Sequence, residues 1–209
     1  MQFSKKDLQS LDRIKRLNII NSITGIKPAN LIGTKSDDGV ENLAIFSSVV
    51  HLGSNPPLIG MVTRPLGEVP RHTYENIQKG GIYTINAVPV SKAEQAHYTS
   101  AKFEHDESEF KACGFEPTYV EGFDAPFVAE SPLRFGLRLV QEMPISINGT
   151  VLMIGEVESL FIKDELVTAE GYINLDEANI AGISGLNSYY DLSLKGSYPY
   201  ARREEVPKF

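Results

Sequence analysis

The chain has 209 residues, 42% of them hydrophobic and 22% charged, with a formal net charge of −7 and an isoelectric point near 5.2. That length fits one domain spanning residues 1–209 around a sizeable core. The composition excludes an intrinsically disordered chain, and an acidic whole argues against nucleic acid, whose phosphate backbone demands a basic face. A single cysteine, Cys113, leaves no internal disulfide and no CxxC redox or zinc site. The start is charged and has no apolar h-region, and no apolar run approaches the ~18 residues of a membrane span, so cytoplasmic residence and no membrane partner are expected.

Residues 4–17, within the first twenty, read as a leading helix. Ser4 can cap it, Asp7 follows three residues later, and Leu8, Leu11 and Ile14 recur at helical spacing. Residues 30–35 read as a short strand, and Asp37-Asp38-Gly39 as the turn that pairs it with a second strand, 42–50. A third strand, 58–63, follows Pro56-Pro57. Thr73 is the expected N-cap of a short helix, 74–79, stopped by Gly80-Gly81. Residues 82–88 alternate, with Tyr83, Ile85 and Ala87 on one side and Ile82, Thr84 and Asn86 on the other.

Ser91 to Glu94 and Asp106 to Glu109 have the spacing of capping boxes, and each predicts a helix start; Gly114 ends the second helix. Residues 116–132, rich in Pro, Phe and acidic side chains, read as a long surface connection. Two long strands are expected at 133–142 and 150–162, with Asn148-Gly149 as the hairpin signal between them and a further strand after Glu165. The tail, 188–209, is aromatic and basic and has no clear period. Six or more short strands with hairpin turns and inserted helices predict a mainly β chain closed as a small antiparallel barrel. No GxGxxG follows a strand, so a nicotinamide would not be held in the Rossmann manner.

The residues that could carry chemistry concentrate between positions 42 and 76. Ser47 and Ser48 end an apolar strand, where two hydroxyls can bond a phosphate or a ring carbonyl, or simply cap the strand. Arg64, Arg71, His72 and Thr73 lie ahead of a helix start whose free N–H groups favour an anion. Arg71 can chelate a phosphate through its planar fork, and His72 adds a donor; the plain alternative is a capped helix with a solvated Arg-His pair. Asn42 could meet a ring edge or serve the turn after Gly39. The histidine spacing suits no metal site: His97 and His105 are eight apart, His51 reads as a half-buried strand residue, and His105 as part of a solvated helix start. Cys113 reads as a packed thiol, and Asp37-Asp38 as turn residues. In the tail, Tyr189-Tyr190 and Tyr198-Pro199-Tyr200-Ala201-Arg202-Arg203 could stack on a flat ring, close a partner's pocket or cover a barrel edge.

Several of these residues also form an ordered pattern. Leu31-Ile32-Gly33-Thr34, Asn42-Leu43-Ala44, Ser47-Ser48, Pro56-Pro57, Arg71-x-Thr73-x-x-Asn76-Ile77 and Gly185-Leu186…Tyr189-Tyr190 together resemble the flavin reductase-like family of FMN-binding split barrels, in its flavoredoxin-like branch. The resemblance spans about residues 30–200. It implies an antiparallel FMN-binding split β-barrel that forms a homodimer and holds FMN near the subunit interface. Main chain at Ala44, Ile45, Phe46 and Ser47 would line the isoalloxazine ring, and Ser48, Arg71 and Thr73 would hold the phosphate. Thr34, Asn42, Arg64, His72 and Asn76 complete the expected cofactor-binding set.

Three departures stand out. Ile45 replaces the family's usual proline, and Arg71-His72-Thr73 replaces its Lys-Asp-Thr. The histidine of many nicotinamide-using members has no counterpart near Gly155-Glu156-Val157. The implied activity is an oxidoreductase in which flavin carries the redox chemistry and no protein side chain is catalytic. It would move reducing equivalents from a nicotinamide donor to flavin, or through FMN to a small-molecule or protein acceptor. A non-catalytic FMN-binding or electron-transfer module and a pyridoxamine-phosphate-oxidase-like flavoenzyme are the alternatives.

Overall fold

The computed structural model describes residues 1–67 and 69–208. It opens with two helices, α1 (Lys5–Ser10) and α2 (Arg13–Ser22), where the apolar spacing predicts one. The Ser4–Asp7 capping box forms as expected. The break comes at Asp12, whose carboxylate accepts from the N–H groups of Ile14 at 2.9 Å and Lys15 at 3.2 Å and so starts a second helix.

The strands follow as β1 (Lys27–Pro28), β2 (Asn30–Lys35), β3 (Glu41–Phe46), β4 (Val49–Ser54) and β5 (Pro57–Thr63). Then come helix α3 (His72–Gly80), β6 (Ile82–Ala87), helices α4 (Ala93–Tyr98) and α5 (Glu109–Cys113), and the hairpin β7 (Pro117–Val120) and β8 (Phe123–Val128). The long pair β9 (Leu133–Ile145) and β10 (Thr150–Ile162) precedes β11 (Ala181–Ser184) and β12 (Ser188–Asp191). Seven strands form one antiparallel sheet in the order β3-β2-β6-β9-β10-β5-β4. The chain is thus mainly antiparallel β with few helices, as expected. Among the described residues no helix is long and apolar enough to cross a membrane.

The expected single strand 42–50 is two strands, β3 and β4, broken at Ser47-Ser48. They occupy opposite edges of the same sheet. The Ser48 hydroxyl donates to the Val62 carbonyl at 2.8 Å, and the Val62 N–H donates to the Ser48 carbonyl. The two serines are therefore the corner at which one stretch of chain passes from one edge of the curled sheet to the other. The inward parity shifts through it, since Phe46 and Val49, three residues apart, both pack on the core; alternation alone does not reveal this, because apolar residues stand at both parities on either side of the serines.

Residues 116–132 are not a surface connection. They form the β7–β8 hairpin, with Phe123, Ala125, Phe127 and Val128 buried. β8 lies across β2 and β6: the Thr84 hydroxyl donates to the Pro126 carbonyl at 2.6 Å, and the Val128 N–H to Asn86 Oδ1 at 2.9 Å. Proline is tolerated there because β8 pairs only with β7. Gly33 has no room for a side chain, since a Cβ would collide with that same carbonyl and with Thr84 Oγ1.

Neither of the two later capping boxes forms. The N-caps of α4 and α5 are Lys92 and Ser108, and neither side chain bonds the helix; Glu109 turns inward instead. Gly81 and Gly114 end α3 and α5 in the left-handed conformation, with φ of 71° at each. After Glu165 the next strand is β11, reached through a 3-10 turn and an irregular stretch.

Ile32, Met61, Ile77, Tyr83, Ile85, Leu137 and Met153 are buried in one cluster with Tyr74, so α3 packs its Tyr74–Ile77 face against the inner side of the curled sheet. A second cluster joins Leu31, Leu43 and Val88 to Ala96 of α4 and Phe110 of α5. β2 and β6 are buried on both faces, and so is the Tyr83-Ile85 and Thr84-Asn86 alternation read from the sequence.

Candidate functional site

Four of the expected site residues meet in a buried polar brace. Asn42 Nδ2 donates to Thr34 Oγ1 at 3.2 Å and to Thr73 Oγ1 at 3.1 Å; Asn76 Nδ2 donates to Thr34 Oγ1 at 3.1 Å. All four are buried. Strands β2 and β3 are thereby tied to the first turns of α3. Thr73 is not the N-cap: it is the second residue of α3, and its hydroxyl faces the sheet. These amide donors point at the two threonine hydroxyls rather than at open solvent.

The cap of α3 is Arg71, whose own side chain does not bond the N–H groups of the helix start. The Arg71 N–H itself donates to Glu75 Oε1 at 3.0 Å, and Arg71 Nε reaches the Pro65 carbonyl at 3.5 Å. Arg64 is exposed on the same 64–71 loop. Among the described residues neither arginine forms a salt bridge. His72 is half-buried, and its ring meets that of His105 edge to face, with centroids 5.4 Å apart. His105 reaches this place from the α4–α5 loop. Nothing in its local sequence signals that; only the tertiary fold brings position 105 to position 72.

Along β3, Asn42, Ala44 and Phe46 share the inner face, where Phe46 packs on the barrel core; Leu43 and Ile45 share the outer face toward α4 and α5. Ser47 and Ser48 stand half-buried at the corner where β3 ends. The Ser48–Val62 bonds tie that corner to β5, and the Pro65–Arg71 contact ties the loop after β5 to the start of α3. Hydroxyls, cations and an uncapped helix start thus lie along one continuous run of chain. Such an arrangement can receive an anionic group at the helix start and a flat ring along the strand.

Cys113 and Tyr83 lie outside this run of chain. The Cys113 thiol is pushed up by burial and then by the Glu109 charge, so it is no activated nucleophile. Burial also raises Tyr83, whose hydroxyl lies where a Cβ on Gly155 would stand. His51 is exposed on β4. Among the described residues no three His, Cys, Asp or Glu gather as a metal site.

Comparison with known proteins agrees with this geometry. The family model for the flavin reductase like domain matches residues 26–176. A solved split-barrel protein from Shewanella frigidimarina NCIMB 400, described as a candidate flavin reductase, is 48% identical, with a TM-score of 0.92 over 96% of this chain and 100% of that one. Nitrilotriacetate monooxygenase component B from Bacillus cereus superposes with a TM-score of 0.83 at 18% identity, covering 95% and 98% of the two chains. The flavoredoxin of Desulfovibrio vulgaris (Miyazaki F) does so at 0.74 and 20%, covering 96% and 98%. These last two share the fold. With the family model matched from before β2 to beyond β10, and with the corner, the brace and the open helix start all inside that span, the chain belongs to the flavin reductase-like family of split-barrel proteins.

Proposed function

We propose that this protein is an FMN-dependent oxidoreductase of the flavin reductase type, which takes reducing equivalents from a nicotinamide donor and passes them to flavin or to a further acceptor. The observation that carries this reading is the start of α3. It has no side-chain cap, and it is flanked by Arg71, His72 and His105. The free N–H groups and the cationic fork of Arg71 suit a phosphate monoester. Ser48 adds a hydroxyl at the corner, its oxygen still able to accept while its proton is held by the Val62 carbonyl. The main chain of Ala44 to Ser47 would lie along the ring, and the Thr34–Asn42–Thr73–Asn76 brace would hold that strand and the helix start in fixed relation. FMN, when bound, supplies the hydride and electron chemistry; the protein's part is to bind and orient it.

A homodimer is part of this proposal. Val50, Leu52, Met143 and Ile145 are exposed, and Leu58 and Leu152 are half-buried. They share one face of four adjacent strands, as the pairings Val50–Gly60, Gly60–Ile154 and Leu152–Met143 require. Leu52 and Leu152 close over Gly60. An apolar face of that kind fits a second copy. The tail beyond β12 is exposed throughout residues 193–208, with Tyr198 and Tyr200 almost fully so, and we place it across the partner.

Titration of the purified protein with FMN, riboflavin and FAD tests the cofactor. FMN should bind far more tightly than riboflavin, and Arg71→Ala should cost about 1.5–3 kcal/mol, roughly ten- to a hundredfold in affinity. Equal binding of FMN and riboflavin would overturn the phosphate assignment. Addition of NADH or NADPH without oxygen then separates an oxidoreductase, which bleaches the bound flavin, from a passive flavin carrier, which does not.

A further inference from the structure

β3 is an edge of the seven-stranded sheet, so every second N–H along it points away from β2 and needs a partner. Two of these groups have partners made of buried side chains. The Leu43 N–H donates to Glu109 Oε2 at 2.9 Å, and the Ile45 N–H donates to Thr99 Oγ1 at 3.0 Å. The Thr99 hydroxyl in turn donates to the Ala96 carbonyl at 2.8 Å, which fixes its oxygen as an acceptor. Glu109 is only 5% exposed and Thr99 only 3%.

A carboxylate in that position is expensive to bury. Burial raises the Glu109 pKa, and among the described residues no cation pairs with it. A protein that merely needed a blunt edge could use a lysine, a proline or a bulge. Here the C-cap residue of α4 and the first residue of α5 match two N–H groups two residues apart on one strand. The next outward N–H is that of Ser47, at the corner.

We propose that Glu109 and Thr99 are positioning residues for the flavin. They clamp β3 from outside, occupy its outward amides at Leu43 and Ile45, and so leave the Ser47–Ser48 corner as the first place where a ring lying along the strand can meet free main chain. Neither residue touches the cofactor. The inference rests on the reading that FMN lies along Ala44 to Ser48.

The test uses the full chain with Glu109→Met, Glu109→Gln, Thr99→Val and Thr99→Ser. Each variant is measured by FMN titration, by visible circular dichroism of the FMN-saturated protein, and by amide hydrogen exchange. Glu109→Met should weaken FMN by about tenfold or more and change the visible dichroism, while Glu109→Gln, which keeps an acceptor oxygen, stays within about threefold. In Glu109→Met the Leu43 amide should exchange about a hundredfold faster, with the amides of β9 and β10 unchanged. Thr99→Val should do the same at Ile45, and Thr99→Ser should restore it. These changes at Thr99 carry the test if Glu109→Met does not fold.

A folded Glu109→Met or Thr99→Val protein with unaltered FMN affinity and dichroism overturns the inference. So does Glu109→Gln failing as badly as Glu109→Met, because the proposed device is the acceptor and not the charge. Wild-type protein that binds no flavin defeats the functional reading instead, and the exchange rates at Leu43 and Ile45 then still report whether the clamp exists.

Discussion

Replacing Thr34 by valine isolates the buried brace, because valine keeps the shape of threonine and removes only its oxygen. Thr34 Oγ1 accepts from Asn42 Nδ2 at 3.2 Å and from Asn76 Nδ2 at 3.1 Å, and Thr34 is fully buried. Asn42 keeps its second bond, to Thr73. The Asn76 amide loses its bond to Thr34, and one Asn42 N–H is also left without a partner. A buried donor stripped of its acceptor costs about 1–3 kcal/mol. Two such donors, partly relieved by side-chain adjustment, should cost about 2–4 kcal/mol. For a chain of this size that lowers the melting temperature by roughly 5–15 °C. Thr34→Ser, which keeps the acceptor and loses a methyl, should cost only about 1 kcal/mol. Denaturant unfolding of the flavin-free protein measures both. The loss should shrink when Asn76 is also replaced by leucine, since the stranded donor is then gone. Thr34→Val within about 0.5 kcal/mol of wild type, or Thr34→Ser as damaging as Thr34→Val, would refute the claim that hydrogen bonds rather than packing make the brace.

Gly155→Ala should destabilise by about 1–3 kcal/mol, because its Cβ would stand in the place of the Tyr83 hydroxyl; a thermal-unfolding double-mutant cycle should show most of that cost vanishing in a Tyr83→Phe background. Tyr83→Phe alone should be no less stable than wild type, since the hydroxyl is buried without a protein partner. Burial raises the Glu109 pKa, so the folded state holds that proton more tightly than the unfolded chain. The stability this contributes is fully present below the ordinary carboxylate value of 4.5 and is lost as pH rises through the raised folded value. Glu109→Gln should therefore gain stability relative to wild type on going from acid to neutral pH, and a parallel pair of melting-versus-pH curves would contradict it. Leu52→Glu, in the exposed apolar face, should shift light scattering to the 23.1 kDa monomer if that face joins two copies, and an unchanged mass would remove it from the interface.

Local chemistry carried much of the fold. The Asp37-Asp38-Gly39 and Asn148-Gly149 turns pin two hairpins, and Gly81 and Gly114 stop two helices because only glycine takes the left-handed conformation there freely. Of the polar residues singled out between positions 34 and 76, Thr34, Asn42, Thr73 and Asn76 meet across β2, β3 and α3, while Ser47, Ser48, Arg64 and Arg71 lie on the connections between elements. Their division of labour was not local. Whether Thr73 caps its helix or braces a sheet depends on Asn42, thirty-one residues away. Alternation could not show that β3 and β4 are opposite edges of one sheet, because apolar residues stand at both parities around the corner and edge position is set by which strands pair.

Residues 116–132 show the limit most clearly. Proline and acidic side chains made them read as surface, yet β8 is buried because it crosses two strands that leave a gap at Gly33. Glu109 is the complementary case. Its spacing is that of a capping residue, but the tertiary fold turns the carboxylate inward to an edge strand sixty-six residues earlier in the chain. Sequence determines which hydrogen-bonding groups and turns a segment can offer. Which partner each group meets is decided by long-range burial, because an unpaired polar group in the interior costs more than any local preference contributes.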